Sequence, residues 1–374
     1  MSKANGNDLI TGRMPSLNAR LESIHTMVMD KVPSIDRIAF ALYDTKTDLL
    51  KTFINSTKTR VPIKAYEIKL ADVPSLTELA NTGSIRVIND VQSALKPYSQ
   101  HSTWVLDQEY QSSFTIPLNN GSQLLGFVFY DSFEKNAFTD AIQRDLLLFS
   151  NLIQMAVVSE IMAIDSLLST AAAAREFARL RDFETGMHLD RMAQLSHLIA
   201  KNLQESHQLS DEYIEQLYLF APLHDIGKIG VPDAILLKPG RLTSEERSVI
   251  QTHVEKGVQL VDKVLSEYSL NAISDADVLR NLIGFHHEFL DGSGYPNGLS
   301  GDDIPLEARI ITVADIFDAL TSQRPYKKPW SVEDAIDELR RMAGEGKLDV
   351  ACIDALEQSI DQVIELVESL ADEL

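Results

Sequence analysis

Histidine is scarce in this chain of 374 residues, which contains nine, and two motifs in particular pair a histidine with a carboxylate. In ETGMHLDR, His188 follows Glu184 by four residues, a spacing that places both side chains on one face of a helix. In LHDIGKIG, His224 stands directly before Asp225, at the end of an apolar segment and just before a glycine. Because a neutral imidazole and a carboxylate together suit a divalent transition metal, both pairs indicate metal binding.

Three more histidines and another carboxylate occupy comparable places. His253 lies in the helical pattern of QTHVEKG, and His286 and His287 follow VLRNLIGF, where a helix is expected to end. Asp315 lies in ARIITVADIFDAL, a mostly apolar helix in which an unpaired carboxylate would be costly to bury. Each residue alone has an ordinary alternative, such as a hydrogen-bonded core histidine or a carboxylate paired with an arginine. Together, the five histidines and three carboxylates predict a metal centre.

The segment HHEFLDGSGYPNG, residues 286–298, joins the last two histidines to a glycine-rich turn. Gly292, Gly294 and Gly298 allow the backbone to turn sharply and to approach a ligand closely. Tyr295 offers a ring and a hydroxyl group to a base or a phosphate, and Pro296 stiffens the end of the turn. The turn is therefore predicted to form a pocket wall beside the metal centre.

Other polar residues near these motifs are assigned supporting roles. Asp291 is expected to brace the turn, and Glu288 to hydrogen-bond to a ligand histidine rather than to bind metal itself. His197 and His207, on a polar face and in a loop, are expected at the surface.

Basic side chains that could bind phosphate are few, because the chain has 34 basic and 55 acidic residues. In SQRPYKK, Arg324 can hold a phosphate through two hydrogen bonds and Lys327 can act as a point charge, whereas Lys328 is expected to be solvated. Lys228, four residues after His224, could neutralise charge that develops on a phosphate oxygen; its alternative is a surface lysine.

Composition limits the class of partner and the compartment. The formal charge of −21 disfavours nonspecific binding to nucleic acid polymers or anionic membranes, although bound metal cations can reverse the field locally. The single cysteine, Cys352, excludes an internal disulfide and fits a reducing compartment. No run approaches the ~18 apolar residues of a membrane span, and the N-terminus has no stretch of the signal-peptide type. The protein is therefore predicted to be cytoplasmic, with no membrane attachment.

The elements that must position these residues fall into two groups. Between about residues 36 and 130, turns separate five β-rich runs, RIAFALYD, LLKTFI, SIRVIND, SSFTIPL and LLGFVFYD. The sequence NNGSQ predicts a hairpin between the last two runs, and a helix is expected near Leu17 to Val32. From Ala137 onward nearly every pattern is helical. The sequence predicts two domains, an N-terminal α/β domain and a C-terminal all-α bundle, with limits at 1–136 and 181–374.

The segment between them, residues 137–180, is predicted to be a long connecting helix with one apolar stripe. The stripe consists of Leu146, Phe149, Ile153, Val157, Ile161, Ile164 and Leu168. It could pack on its own domain or form the seam of a parallel homodimer, and we favour the dimer seam.

The order of His188, His224-Asp225 and Asp315 resembles the HD superfamily of metal-dependent phosphohydrolases. HDIGKIGVPD, HHE, DGSGYP and IPLEARIITVADIFDALTSQRPYK further resemble the HD-GYP subfamily, over about residues 175–345. The resemblance implies hydrolysis of the bacterial second messenger cyclic di-GMP to linear pGpG, to GMP or to both; some members act on related cyclic dinucleotides. Phe289 and Leu290 stand where the family often has a basic or aromatic residue, and GEGKLDVACID departs from its late G…FDP motif. Both departures bear on loop packing and substrate choice rather than on metal binding.

By this resemblance the metal ligands are Glu184, His188, His224, Asp225, His253, His286, His287 and Asp315. Asp225 is expected to bridge two metals, and Glu184 marks the members that hold three metals rather than two. Iron is the expected metal and manganese the alternative; the nitrogen and oxygen donors also permit zinc. Lys228 matches the HDxGK segment, and Arg324 and Lys327 match phosphate anchors.

The expected mechanism follows from the charge of a phosphodiester, which resists attack by hydroxide. Metals about 3.5–4 Å apart bind phosphate oxygens and lower the pKa of a bridging water, and the resulting hydroxide attacks phosphorus in line with the leaving ribose oxygen. Asp225 and Lys228 are the predicted catalytic residues. One alternative is a catalytically weak cyclic-dinucleotide sensor that acts through a protein partner. Another is a hydrolase of a guanosine polyphosphate or a dNTP, against which the GYP turn argues.

In the N-terminal part, RVIND and IPLNNGSQLLGFVFYDS followed by FTDAIQRDLLLFSNLIQMAV resemble a GAF domain. The resemblance implies an antiparallel sheet flanked by helices, which binds an unknown small ligand or none and regulates the second domain through the connecting helix. Because this part contains no cysteine, a thioether-linked bilin is excluded. His101 and Trp104 could line a pocket, but a loop or core role is favoured.

Overall fold

The computed structural model describes residues 16–45, 47–58, 66–96, 100–177, 186–267, 276–323 and 328–370. The chain divides into two compact units, Met1–Met162 and Ala163–Leu374, each with its own hydrophobic core. The division falls inside one long helix, Asp140–Phe177. The predicted two-domain layout is confirmed, whereas the predicted limits at 1–136, 137–180 and 181–374 stay a proposal.

The first unit is built on a six-stranded antiparallel sheet of strand order β3-β2-β1-β6-β5-β4. Its strands are β1 (Arg37–Asp44), β2 (Leu49–Thr57), β3 (Glu67–Lys69), β4 (Arg86–Ile88), β5 (Ser112–Asn120) and β6 (Gln123–Ser132). All five predicted runs are strands, and the predicted hairpin joins β5 to β6 at Gly121, whose φ is +61°. Strand β3 was not predicted because three residues are too few to display an alternating pattern.

Helices cover both faces of this sheet. They are α1 (Leu17–Lys31), α2 (Pro74–Thr82), α3 (Val91–Ala94), α4 (Gln100–Asp107) and α5 (Asp140–Phe177). On one face, α1 and α5 bury the alternating apolar side chains of β1, among them Ile38, Phe40 and Leu42. On the other face, Leu76 and Leu79 of α2 form a smaller core with the sheet. The predicted α/β architecture is therefore present in the first unit.

The apolar stripe of α5 corrects the predicted dimer seam. Leu146, Ile153 and Val157 are buried in the core beneath the sheet, and Ile164 is buried in the core of the second unit. Phe149 and Ile161 pack partly buried against the sheet core, and the side chain of Leu168 lies outside the described residues. Leu146, Ile153 and Val157 are not available to a partner, because the apolar face of the sheet requires a cover and α5 supplies it.

The opposite face of α5 exposes large apolar side chains instead. They are Leu147, Leu148, Leu152, Met155 and Met162. By length and composition, Asp140–Met162 would suffice to cross a membrane, with a mean hydropathy of 1.4, although no span was expected from the sequence. One face of this helix nevertheless packs on the sheet of its own unit, so lipid could not surround it.

The second unit is built from helices, as predicted, and no strand occurs among its described residues apart from one isolated β-bridge, Asp291 to Ser300. Its helices are α6 (Gly186–His207), α7 (Asp211–Phe220), α8 (Asp233–Leu236), α9 (Ser244–Gln251), α10 (His253–Glu267), α11 (Ala276–Phe285), α12 (Leu306–Thr321), α13 (Val332–Gly344), α14 (Val350–Gln358) and α15 (Ile360–Ser369). Helix α12 is apolar on most of its surface and lies within the core, where it packs against α6, α11 and α13. Because α12 is buried, its position in the unit is fixed, and the predicted metal ligands are arranged around it.

Candidate metal centre

The predicted ligands come from five separate elements of the second unit. His188 lies in the first turn of α6, and His253 is the first residue of α10. His224 and Asp225 link two 3-10 turns, Ala221–Leu223 and Ile226–Gly230. His286 and His287 follow the end of α11, as the sequence predicted, and Asp315 lies in α12.

The fold brings seven of the eight predicted ligands together in two groups. The ligand atoms of Asp225, His253, His286 and His287 lie within 4.8 Å of one another. Those of His188, His224 and Asp315 form a second, three-membered group within the same limit of 4.8 Å. Glu184, the eighth predicted ligand, lies outside the described residues.

His224 and Asp225 connect the two groups. The Nε2 atom of His224 lies 3.3 Å from Asp225 Oδ2 and 4.0 Å from Asp315 Oδ1. On the other side, Asp225 Oδ1 lies 2.9 Å from His253 Nε2 and 3.6 Å from His286 Nε2. Asp225 therefore stands between the two groups, where a carboxylate could share its oxygens between two cations.

The hydrogen bonds of the histidines determine which ring nitrogen points inward. Nδ1 of His224, His253 and His286 each lies 2.7–3.1 Å from backbone carbonyl oxygens of the preceding turn. Since a carbonyl only accepts, Nδ1 carries the proton and Nε2 of a neutral ring presents a lone pair. For His253 and His286 that lone pair faces the Asp225 carboxylate without an acceptable hydrogen bond. A nitrogen lone pair and a carboxylate oxygen that face each other at 2.9 or 3.6 Å repel each other unless both bind a shared cation, either a proton or a metal ion.

Protonation could supply that cation only if the imidazoles became charged, and burial opposes this. His286 is 1% exposed, and burial lowers the pKa of His286 and His287 below the ordinary value, so both rings are neutral at pH 7. Burial acts to raise the pKa of Asp225, but the adjacent Lys228 ammonium opposes it, and that pKa lies well below its usual range. An ionised carboxylate among neutral imidazole lone pairs is the donor set of a divalent transition metal, so the residues fit the predicted metal.

A buried carboxylate that the sequence analysis missed orients His188. Asp318, on α12, accepts a hydrogen bond from Nδ1 of His188 at 2.7 Å. Arg191 donates to Asp318 through Nε and to Ser322 Oγ through Nη2. The sequence signal was a second carboxylate one turn after Asp315 in an apolar helix, the same signal by which Asp315 itself was chosen.

The glycine-rich turn lies against the centre, and Gly294 makes that approach possible. A Cβ atom at Gly294 would lie 2.5 Å from His287 O and 2.5 Å from Glu288 Cα, closer than real Cβ contacts. The neighbouring Tyr295 ring stacks on His287, with centroids 4.6 Å apart. Gly292 adopts φ +77°, a conformation that side chains rarely adopt. The turn thus forms one wall beside the imidazoles, and Pro296 follows Tyr295 in it.

Glu288 corrects one prediction. It does not hydrogen-bond to a ligand histidine; its two carboxylate oxygens accept from Asn297 N at 2.7 Å and Leu299 N at 3.0 Å. A buried carboxylate is thereby satisfied by the backbone of the glycine-rich turn, which it ties down. Asp291 braces the same turn, as expected, by accepting from Ser293 N and Oγ.

Two other predictions concern single side chains. His197 is not a surface residue but is 8% exposed, with its ring edge-on to Tyr218, because the face of α6 that carries it is covered. His207 is exposed, as predicted.

Of the basic residues predicted to bind phosphate, one lies at the centre and two lie outside the described residues. Lys228 Nζ lies 2.7 Å from Asp225 Oδ2, so this lysine faces the centre rather than bulk solvent. Arg324 and Lys327 lie outside the described residues, and Lys328 is exposed, as predicted.

A cavity of about 340 Å³ opens beside the centre, large enough for part of a nucleotide. Its polar lining includes His286, His287 and Asp315. Its apolar lining consists of Phe289, Ile316, Ala319 and Leu320. The cavity therefore combines metal ligands on one side with surfaces on which a flat base could rest.

Comparison with known proteins agrees with this geometry. A family model described as the HD domain matches residues 183–352. The cyclic di-GMP phosphodiesterase response regulator RpfG of Xanthomonas campestris pv. campestris (strain 8004) is 44% identical over 190 residues, 50% of this chain and 46% of that protein. The 3'3'-cGAMP-specific phosphodiesterase 2 of Vibrio cholerae is 39% identical over 51% of this chain and 34% of its own length. A cyclic di-GMP phosphodiesterase of Thermotoga maritima is 40% identical over 44% of this chain and 42% of its own length.

The chain thus spans less than half the length of these curated relatives. Solved structures also resemble part of this chain. The GAF domain of an Acinetobacter phosphoenolpyruvate-protein phosphotransferase covers 37% of this chain at 13% identity and a TM-score of 0.30, with 80% of that structure matched. This likeness carries no argument about ligand or activity.

Proposed function

Residues 183–352 match the model of the HD domain, and from this match we propose that the protein is a metal-dependent phosphodiesterase of cyclic dinucleotides. The proposed substrate is cyclic di-GMP. The observation that carries the proposal is the convergence of neutral imidazole lone pairs on an ionised Asp225 beside the Tyr295 turn. Relatives that match the same part of the chain are named cyclic di-GMP or 3'3'-cGAMP phosphodiesterases, which supports the substrate class.

The proposed ligand set is the full set of eight. It comprises Glu184, His188, His224, Asp225, His253, His286, His287 and Asp315. The two groups in the structure support at least two divalent ions, and Glu184 would complete a third site next to His188. We propose iron first and manganese second, because nitrogen and oxygen donors in this ratio suit both.

Bound metals would supply an activated water and neutralise the charge of the phosphodiester. The residues of the chain would hold the metal-binding atoms and the substrate in position. The backbone carbonyls behind His224, His253 and His286 hold Nε2 inward, which keeps the donor atoms fixed in one place. Lys228, now paired with Asp225, lies within reach of a phosphate oxygen at the centre and would share its charge with it.

The remaining residues would bind the rest of the substrate. Tyr295 and the apolar wall of the cavity offer surfaces for a guanine base, and Gly294 and Pro296 keep the turn close to it. Arg324 and Lys327 are proposed as anchors of the second phosphate. Addition of water across one P–O bond opens the ring and gives linear pGpG; hydrolysis of the remaining diester then gives GMP.

The experiment that tests the proposal measures turnover and metal on one sample. The full chain, purified without oxygen, is assayed with cyclic di-GMP and with 3'3'-cGAMP, and its iron and manganese are quantified. Asp225→Asn should lose metal and lower turnover by about 10²-fold or more. The control is Asp277→Asn, whose side chain is 53% exposed on α11, and it should leave both unchanged. A fully metallated protein that binds the dinucleotide without hydrolysing it would contradict the proposal and favour a sensor.

We further propose a parallel homodimer, with a different seam from the one the sequence suggested. Leu148, Leu152, Met155 and Met162 are exposed on α5 at intervals of four, three and seven residues. That is the heptad spacing by which two copies of one helix pack together. We also propose a cytoplasmic location. It accords with the inner face of the same helix, which packs on the sheet, so that lipid could not surround the helix.

A further inference from the structure

Arg191, on α6, holds the carboxylate behind His188 in a fixed plane. Its Nε donates to Asp318 Oδ1, and its Nη2 lies 3.3 Å from Asp318 Oδ2. Two hydrogen bonds to one carboxylate fix the plane of that group as well as its position. Asp318 Oδ2 also accepts from Nδ1 of His188, so Nε2 is the atom that this ring can offer to a metal. The orientation of His188 therefore depends on Arg191.

The remaining terminal nitrogen of Arg191 contacts an element that lies outside the HD-domain match. Nη1 donates to the backbone carbonyl of Leu370 at 2.7 Å. Leu370 follows directly after α15, whereas the family model matches residues 183–352. The last carbonyls of a helix have no partner within the helix and carry a partial negative charge, which suits a guanidinium. The end of α15 thus holds the arginine that orients a predicted metal ligand.

A second hydrogen bond fixes the register of α15 on α6. Asn202 donates from Nδ2 to Ser359 Oγ at 2.7 Å, at the start of α15. Asn202 lies 11 residues after Arg191, and Ser359 lies 11 residues before Leu370. Because 11 residues make about three helical turns, the two helices run antiparallel with a hydrogen bond at each end. Val363, between these ends, is buried in the core of the second unit. The whole length of α15 therefore sets the position of the Leu370 carbonyl.

We propose that Arg191 is a positioning residue of the metal centre and that the end of α15 keeps it in place. One guanidinium connects the Leu370 carbonyl to Asp318, and Asp318 connects it to His188. The side chains of Arg191, Asp318 and His188 are all buried. If the end of α15 moves, Arg191 loses one contact, Asp318 can rotate, and the metal next to His188 should bind more weakly. The inference rests on the proposed metal centre.

The other group of predicted ligands does not depend on this connection. The rings of His253 and His286 are oriented by backbone carbonyls of their own turns. A metal bound among Asp225, His253, His286 and His287 should therefore keep its affinity when Arg191 is changed. This selectivity distinguishes a positioning role from a general loss of stability, which would weaken both groups alike.

The test is the stepwise removal of Mn²⁺ from the full chain with a chelator, which separates classes of bound ion by affinity. His188→Ala identifies the class that depends on His188. Arg191→Lys keeps the positive charge, but one ammonium cannot replace three nitrogens of a planar guanidinium. It should weaken the His188-dependent class by about tenfold or more and leave the other class unchanged. Arg341→Lys, which changes an exposed arginine of α13, is the control and should alter neither class.

A second pair of variants changes the helix end without touching Arg191. Leu370 N donates to Leu366 O at 3.0 Å, and Leu370→Pro removes this donor and places a ring against the last turn. The carbonyl at position 370 should then move away from Arg191, and the His188-dependent Mn²⁺ should bind more weakly, as in Arg191→Lys. Leu370→Ala keeps the backbone and should bind Mn²⁺ like the wild type.

Wild-type affinity of the His188-dependent class in Arg191→Lys or in Leu370→Pro would overturn the proposal. Equal weakening of both classes would overturn it as well, because Arg191 would then act on the fold as a whole. A wild-type protein without a His188-dependent class would overturn the proposed metal centre at His188 and this inference with it. The wild-type measurement alone identifies that last outcome, so the two failures are distinguishable.

Discussion

Three of the proposed histidine ligands are oriented by backbone carbonyl groups behind their rings. The rings of His224, His253 and His286 each donate Nδ1–H to a backbone carbonyl in the turn that precedes them, and so present Nε2 inward. These carbonyls are available because each histidine stands at a helix end or next to a 3-10 turn. The same local geometry therefore serves three ligands from three different elements.

His188 differs because a carboxylate holds its ring, and this difference is testable. Asp318→Asn keeps an acceptor oxygen but removes the charge that binds both His188 and Arg191. We expect the affinity of the metal next to His188 to fall about 10–100-fold, since partners behind metal ligands contribute that much. Competition with a chelator measures the effect. The matched control is Asp337→Asn at an exposed position of α13, and equal affinities in both variants would contradict the expectation.

The close approach of the glycine-rich turn to His287 depends on Gly294, which has no side chain. Gly294→Ala places a methyl group 2.4–2.5 Å from three backbone atoms of residues 287–289, so the turn must move away from His287. Turnover should fall by more than tenfold, because displacement of a positioning group by about 1 Å costs up to about 10²-fold. Gly344→Ala is the control, since nothing lies within 4 Å of the added atom at the end of α13. Wild-type turnover in Gly294→Ala would refute the assigned role of the turn.

At the scale of elements, Glu288 ties a loop to the end of a helix. Its carboxylate accepts from Asn297 N and Leu299 N, so Glu288→Ala leaves two amide groups in the turn without their acceptor. Each lost acceptor costs about 1–3 kcal/mol when the amide stays buried. The metal content should stay the same while KM for the dinucleotide rises, which separates a role in the loop from metal binding. Loss of metal would show that Glu288 supports the histidines after all.

Helix α5 has one apolar face that is buried and one that is exposed, and a pair of variants distinguishes their roles. Leu146→Ala, on the buried face, should destabilise the first unit by about 2–5 kcal/mol, as a large-to-small change in a core does. Leu152→Glu, on the exposed face, should leave that stability nearly unchanged and convert a dimer to a monomer. Urea unfolding and light scattering measure the two effects. A monomeric wild-type protein would remove the dimer proposal.

At the scale of the whole molecule, the two units have separate cores, and the proposed metal centre lies in the second. A bound metal stabilises the fold that binds it by mass action, about 4 kcal/mol at a thousand times its Kd. Chelation should therefore lower the unfolding temperature of the second unit and leave that of the first unchanged. Asp225→Asn should not respond to chelator. A shift of both transitions in the wild type would show that the units unfold together.

Local sequence was sufficient for much of this protein. The four long strands β1, β2, β5 and β6 follow from their apolar patterns, and the short β4 lies within a longer β-rich run, SIRVIND. The candidate metal ligands follow from residue type and spacing. Such features depend on the chain within a few residues of each position. The family resemblance indicated that residues up to 131 positions apart, Glu184 and Asp315, would bind metal at one site.

The features that depend on contacts between distant elements were decided by the tertiary structure. Spacing alone could not tell which apolar face of α5 the sheet would cover, because both faces have helical periodicity. Nor could it show that Glu288 would accept hydrogen bonds from the backbone amides of the glycine-rich turn. Burial and charge pairing are properties of the assembled elements, since a side chain is desolvated only by the residues that pack against it.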